Sequence, residues 1–232
     1  MKTNEFGQVI GEAVPGFTPG GLPTAASIEG RYTRLEKLNE SHKEALYAVY
    51  GPDTPAQMWT YLAGSSVANE AEWDDLFERL LRDSSKFYYV ILDKNTQKTL
   101  GTFALMRLDT ANRVVEIGSV TYLPELQRTR MATEAQYLMA RYVFEEMGYR
   151  RYEWKCDALN EPSKRAAKRL GFTYEGRFRQ AVVYKGRTRD TDWYSMIDQE
   201  WPKLKERFEK WLHPENFNEE GVQYHSLSQQ SS

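Results

Sequence analysis

Three short segments hold polar side chains at spacings that suit group-transfer chemistry. Gln127-Arg128-Thr129-Arg130-Met131-Ala132, with Thr133 next, is a basic loop entering an amphipathic run. Consecutive backbone N–H groups at a helix N-terminus form an anion cradle suited to a pyrophosphate, and Arg128 and Arg130 add charge to it. Glu116 stands upstream in Val114-Val115-Glu116-Ile117-Gly118, where a carboxylate is either a general base or the solvent-facing residue of an alternating strand. Asn160-Glu161-Pro162-Ser163 offers an amide and a hydroxyl that serve equally as helix caps and as ligand contacts. Cys156, the only cysteine, has nothing nearby to lower its pKa, so it reads as a buried strand thiol rather than an acyl-accepting nucleophile.

These segments need elements to hold them. Ser41 with Glu44 has the form of a capping box ahead of a helix that carries Leu46 and Val49 and stops at Gly51. Asn69 with Glu72 opens a second helix, whose Trp73, Leu76, Phe77, Leu80 and Leu81 share one face. Strands are expected over 87–93, 99–109 and 114–122, joined by short polar turns as in an antiparallel meander. A helix over about 132–147 turns Ala135, Leu138, Met139, Tyr142 and Val143 inward and ends at Gly148. A strand over 151–156 follows, then a helix begun by Pro162 and ended by Gly171, then strands over 172–184 and 192–197. The sheet is therefore mixed. Trp201, Leu204, Phe208 and Trp211 form a last helical stripe.

Composition narrows the function classes. With 41% hydrophobic and 13% aromatic residues in 232, the chain can bury one good core. The expected organisation is an extended arm over 1–28, one domain over 29–200, a C-terminal helix over 201–214 and a polar, disordered tail over 215–232. A net charge of -2 from 31 basic and 33 acidic residues gives no global field for nucleic acid or membrane. His42, His213 and His225 have no metal-ligand spacing, so no metal is expected. A single cysteine, with no signal-like or membrane-length apolar run, leads us to expect a cytoplasmic protein.

From Gly30 to about Trp201 the sequence resembles the GNAT superfamily of N-acyltransferases, most closely its ribosomal-protein N-acetyltransferase branch of the RimJ/RimL type. The residues that carry the resemblance are the 127–132 loop, Asn160 to Ser163, and Leu170-Gly171-Phe172. The loop departs from the family pattern at Arg130, where a Gly is usual and where a Cβ now limits close backbone approach. The resemblance implies an α/β (α+β) fold, with a mixed, mostly antiparallel central sheet of six to seven strands flanked by helices. It implies acetyl-CoA as co-substrate, held by Val120, Tyr122, the loop from Gln127 to Thr133 and Asn160, with Lys164 and Lys168 toward the 3′-phosphate. An exposed basic helix face accounts for those lysines equally well. It implies Glu116 as base, the backbone amide near Val120 as the group polarising the thioester, and Ser163 as proton donor to the leaving thiolate.

The acceptor is less legible. Trp59 and Tyr61 lie between the first two helices, where family members border the acceptor; they are either a clamp for an amine or core pieces. Arg179 and Tyr184, with Lys185, Arg187 and Arg189, belong to a charged hairpin that suits an acidic acceptor, a subunit interface or a solvated turn. The expected reaction is direct transfer of acetyl to a small-molecule amine or a protein N-terminus. The rival readings are a non-catalytic acyl-CoA sensor or scaffold, and a transferase of a longer acyl group such as succinyl. The resemblance and the aromatic C-terminal helix also allow a homodimer.

Overall fold

The computed structural model describes residues 2–229. Its centre is an eight-stranded sheet of order β3-β4-β5-β6-β7-β8-β10-β9. The strands are β3 (Ser27–Glu29), β4 (Thr33–Lys37), β5 (Lys86–Asp93), β6 (Thr99–Asp109), β7 (Val114–Tyr122), β8 (Arg151–Asp157), β9 (Thr173–Tyr184) and β10 (Arg187–Ile197). Every neighbouring pair is antiparallel except β7 and β8, whose parallel register runs from Val114↔Arg151 to Ile117↔Trp154. A parallel pair needs a crossover. Here it is α3 (Arg130–Arg141), which buries Ala135, Leu138 and Met139 against Val115 and Ile117 of β7 in the main core.

Helices α4 (Glu161–Leu170) and α5 (Trp201–Leu212) share that face of the sheet and contribute Ala167, Leu170, Phe208 and Trp211 to the same core. The opposite face is covered over β5 and β6, where α1 (Lys43–Tyr50) and α2 (Glu70–Arg82) bury Leu46, Val49, Trp73 and Phe77 with Val90 and Leu92, and Tyr50 Oη meets Thr102 Oγ1 of β6 at 2.6 Å. Glu116 and Glu153, on alternate residues from the main core, face this second side.

Several expectations change. The sheet has eight strands rather than six to seven, because β3 and β4 are short and, with Ser, Glu, Arg and Lys in them, carry too few apolar residues to read as strands. The first helix is entered from Asn39, not Ser41: the Asn39 side chain accepts from Ser41 N, and His42 Nδ1 accepts from Asn39 N. The third helix is regular only to Arg141 and finishes in a π-turn over Tyr142–Glu146, with Met147 N donating to Tyr142 O before Gly148 at φ 63°.

The arm opens with a hairpin of β1 (Lys2–Thr3) and β2 (Val9–Ile10) and then lies across the domain. Tyr142 Oη accepts from Thr24 N at 2.8 Å and Ala25 N at 3.0 Å, and Tyr149 Oη donates to Gly21 O at 2.9 Å. A Cβ on Gly20 would stand 2.8 Å from the Tyr149 ring, so the arm's approach there needs glycine.

The tail expectation is corrected for the described residues. Phe217 and Leu227 are buried in the main core, and Asn216 donates to Trp211 O and His225 O. Polar composition concealed this because two apolar anchors suffice once buried polar side chains are paired. Residues 230–232 lie outside the described part. Among the described residues no helix is long and apolar enough to cross a membrane.

Candidate active site

The site forms where the parallel strands part. β7 and β8 pair as far as Ile117↔Trp154, and beyond this Gly118–Tyr122 has no partner on β8. The cause lies in β7, where Ser119 takes φ 50° and the register with β6 slips between Ala104↔Gly118 and Thr102↔Thr121. This bulge turns the strand away and leaves a fork with the amide edge of Val120 along one wall. Gly118 sits at its root, where a Cβ would meet Met106 Sδ at 2.5 Å and Glu116 Oε1 at 3.3 Å and would make the Met106 side chain move.

The loop from Gln127 to Thr133 closes the α3 side of the fork. Gln127 Nε2 donates to Tyr122 O at 3.1 Å, Arg128 is left-handed at φ 64°, and Thr129 is the N-cap, its Oγ1 accepting from Ala132 N at 3.1 Å. The first amides of α3, at Arg130 and Met131, precede any intrahelical acceptor and remain for an anion. The departure at Arg130 is accommodated by its side chain, whose guanidinium lies 4.2 Å from the Tyr32 ring centre and 5.5 Å from that of Phe217. Thr133 is buried and accepts from Arg169 Nη1 at 3.0 Å. Met131 and Ala132 pack on the main core, and Tyr122 Oη accepts from Gln136 Nε2 at 2.7 Å.

At the start of α4, Asn160 Oδ1 accepts from Ser163 N at 3.2 Å, so capping is real. Ser163 Oγ accepts from Trp154 Nε1 at 2.9 Å, which leaves its own hydrogen to donate, with the Cys156 sulfur within its reach. Burial pushes the neighbouring Cys156 thiol up, against a smaller opposing pull from Ser163. Lys164 is drawn to Glu161 at 2.6 Å, Ala158 O at 3.2 Å and Asp192 at 3.7 Å, and Lys168 is exposed. The α4 cation that reaches α3 is instead Arg169, held 4.9 Å from the Trp211 ring centre.

Glu116 lies on the other side of the fork with its side chain 7% exposed. Burial raises its pKa; Lys155, with Nζ at 3.0 Å, and then Arg107, with Nε at 3.3 Å, pull against that rise. Trp59 departs from the clamp expectation: its ring is buried against Tyr50, with Nε1 donating to Thr54 Oγ1 at 2.9 Å. Tyr61 is half-buried in the same link. The β9–β10 turn reaches that link, Lys185 Nζ donating to Trp59 O at 2.6 Å and Arg187 Nη2 to Thr60 O at 2.8 Å. Tyr184 Oη donates to Asp157 Oδ2 at 2.8 Å, and Arg179 is exposed on β9. The hairpin thus bridges the end of β8 to the α1–α2 link. Lys155 was missed in the sequence because its neighbours depend on a parallel register that no local pattern displays.

These features fit a thioester co-substrate entering from the α3 and α4 side, with its phosphates at the loop and its acyl end in the fork. Comparison with known proteins identifies the family. Residues 33–173 match the family described as Acetyltransferase (GNAT) domain. A solved GCN5-related N-acetyltransferase from Brucella melitensis is 43% identical with a TM-score of 0.90, over 93% of this chain and 98% of that one. Two proteins of Bacillus subtilis (strain 168) are also similar. One is the uncharacterized N-acetyltransferase YoaA, 25% identical over 70% of this chain and 92% of its own length. The other is the putative ribosomal N-acetyltransferase YdaF, 32% identical over 44% of this chain and 55% of its own length. The family uses acetyl-CoA as co-substrate; with the match spanning well over half of its length, this chain belongs to the GNAT family and is an acyl-CoA-dependent acetyltransferase.

Proposed function

We propose that the protein transfers the acetyl group of acetyl-CoA directly to the primary amine of a small molecule, within a ternary complex. The observation that carries the reading is the pair of polar groups on opposite faces of one fork, Glu116 on the open side and Ser163 on the α4 side. Acetyl-CoA supplies an activated acyl carbon. Glu116 takes a proton from the acceptor's ammonium, directly or through water, so that the nitrogen lone pair can attack. The Val120 amide hydrogen-bonds the acyl oxygen as charge gathers there. Ser163 returns a proton to the departing sulfur. Loop amides at Arg130 and Met131, with Arg128 and the Asn160 amide group, hold the co-substrate in line.

A small amine is favoured over a protein N-terminus by the hairpin. Its contacts to Trp59 O and Thr60 O close the acceptor side at one end, whereas a polypeptide needs an open groove. The test begins with a calorimetric titration by acetyl-CoA. Stoichiometric binding is expected, weakened at least tenfold by Arg128→Ala with Asn160→Ala. Thiol release is then followed with panels of free amines and of N-terminal peptides. Glu116→Gln should bind acetyl-CoA like the parent and lose at least a hundredfold in turnover. Absence of binding by the folded protein sinks the co-substrate site, and turnover of peptides alone sinks the acceptor assignment.

A further inference from the structure

Glu116 and Glu153 are direct partners in the parallel register of β7 and β8, and both point to the sheet face opposite the main core. Their side chains are 7% and 10% exposed. Two carboxylate anions side by side in such a place repel each other unless a cation stands between them. Lys155, two residues beyond Glu153 on that face, interposes its ammonium at 3.0 Å from Glu116 Oε2 and 2.7 Å from Glu153 Oε2. It is itself only 7% exposed and lies 3.6 Å from the Trp193 ring centre. Phe178 stacks on Trp193, their ring centres 4.6 Å apart, so the indole is backed on β9 and the lysine stem has a firm floor.

We propose that Lys155 is the positioning residue for the catalytic base, holding the Glu116 carboxylate as the anion that takes the acceptor's proton and fixing its direction at the fork. The inference rests on the reading of Glu116 as base. The surrounding charges identify Lys155 as the controlling group. Arg107, from β6, reaches Glu116 at 3.3 Å but is 62% exposed, so solvent screens it. Arg151 is spent on Glu153 and Glu175, and β10 places the uncharged Trp193 and Ser195 opposite Lys155 and Glu153. Among the described residues, Lys155 is the one buried cation in contact with Glu116. An acceptor ammonium therefore meets a carboxylate that is already oriented, and must share it.

The test reads Glu116 itself. Protein carrying ¹³C-labelled glutamate side-chain carboxyls is titrated by NMR, with Glu116→Gln assigning the resonance. Replacing Lys155 by Met keeps the stem over Trp193 and removes the charge. The Glu116 midpoint should rise by about one pH unit or more, which lowers the ionised fraction about tenfold at a pH below both midpoints. The acid limb of kcat/KM should move with it, and Lys155→Arg should restore both. If Lys155→Met does not fold, Lys155→Met with Glu153→Gln removes one charge of each sign and should move the midpoint the same way by less. An unmoved midpoint in a folded variant overturns the proposal. An acid limb that persists in Glu116→Gln overturns the base reading instead.

Discussion

Burial acts on two side chains at the fork in the same direction, with opposite chemical effect. It pushes the Glu116 carboxyl upward, which makes its anion a stronger base, and it pushes the Cys156 thiol upward, which makes the thiolate nucleophile scarcer. Activity that requires the Glu116 anion should therefore rise with pH through a midpoint above the ordinary glutamate value and level off beyond it. A pH profile of kcat/KM limited by a group in the ordinary range would contradict that assignment. Cys156→Ala should keep turnover within about twofold and cost on the order of 1 kcal/mol of stability. Mass spectrometry should find no acetyl group on Cys156 after incubation with acetyl-CoA; a turnover-competent acetyl-thioester there would replace direct transfer by a two-step route. The identity of these residues was readable in the sequence, but their environments were not. Nothing local to Glu116 shows that Glu153 stands beside it, because that pairing joins strands separated by a whole helix.

Among the elements, those built on one strong periodicity read correctly. α2 begins at the Asn69 cap, whose side chain accepts from Glu72 N, and buries Trp73 and Phe77; α4 starts at Glu161 with Pro162 in its first turn and is capped by Gly171 at φ 104°. The early strands failed because their stability is long-range. β4 pairs with β3 and β5, and the turn that leads into it is held by Glu134 of α3, whose buried carboxylate accepts from the amides of Arg31, Tyr32 and Thr33 at 2.7–2.8 Å and from Thr33 Oγ1 at 2.8 Å. Glu134→Ala strands these donors away from water and should cost about 3 kcal/mol or more, seen as a lower urea midpoint. Unchanged stability would show that water replaces the carboxylate. The π-turn after Arg141 likewise escaped a helix-period reading, since its extra residue preserves the inward row of Tyr142, Val143 and Phe144.

Over the whole molecule, an early and a late segment of the chain converge on the loop from Gln127 to Thr133. The early segment supplies Tyr32, the late one supplies Phe217, and the Arg130 guanidinium lies against both rings. Tyr32 Oη also donates to Leu212 O at 3.3 Å, and Trp211 Nε1 donates to Gln223 Oε1 at 2.8 Å. Ending the chain after Leu212 should leave the sheet and its helices folded by circular dichroism, lower the melting temperature and weaken acetyl-CoA binding severalfold. If affinity holds while stability falls, the late segment braces the fold without reaching the loop.

The stacking of Arg130 on Phe217 also sets an order of events during synthesis. The ribosome delivers Arg130 well before Phe217 and Leu227, so a nascent chain whose β-sheet has already formed still carries a loop with half its clamp missing. If truncation after Leu212 weakens acetyl-CoA binding, competence for it is acquired only after the segment carrying Phe217 and Leu227 has been made and has docked.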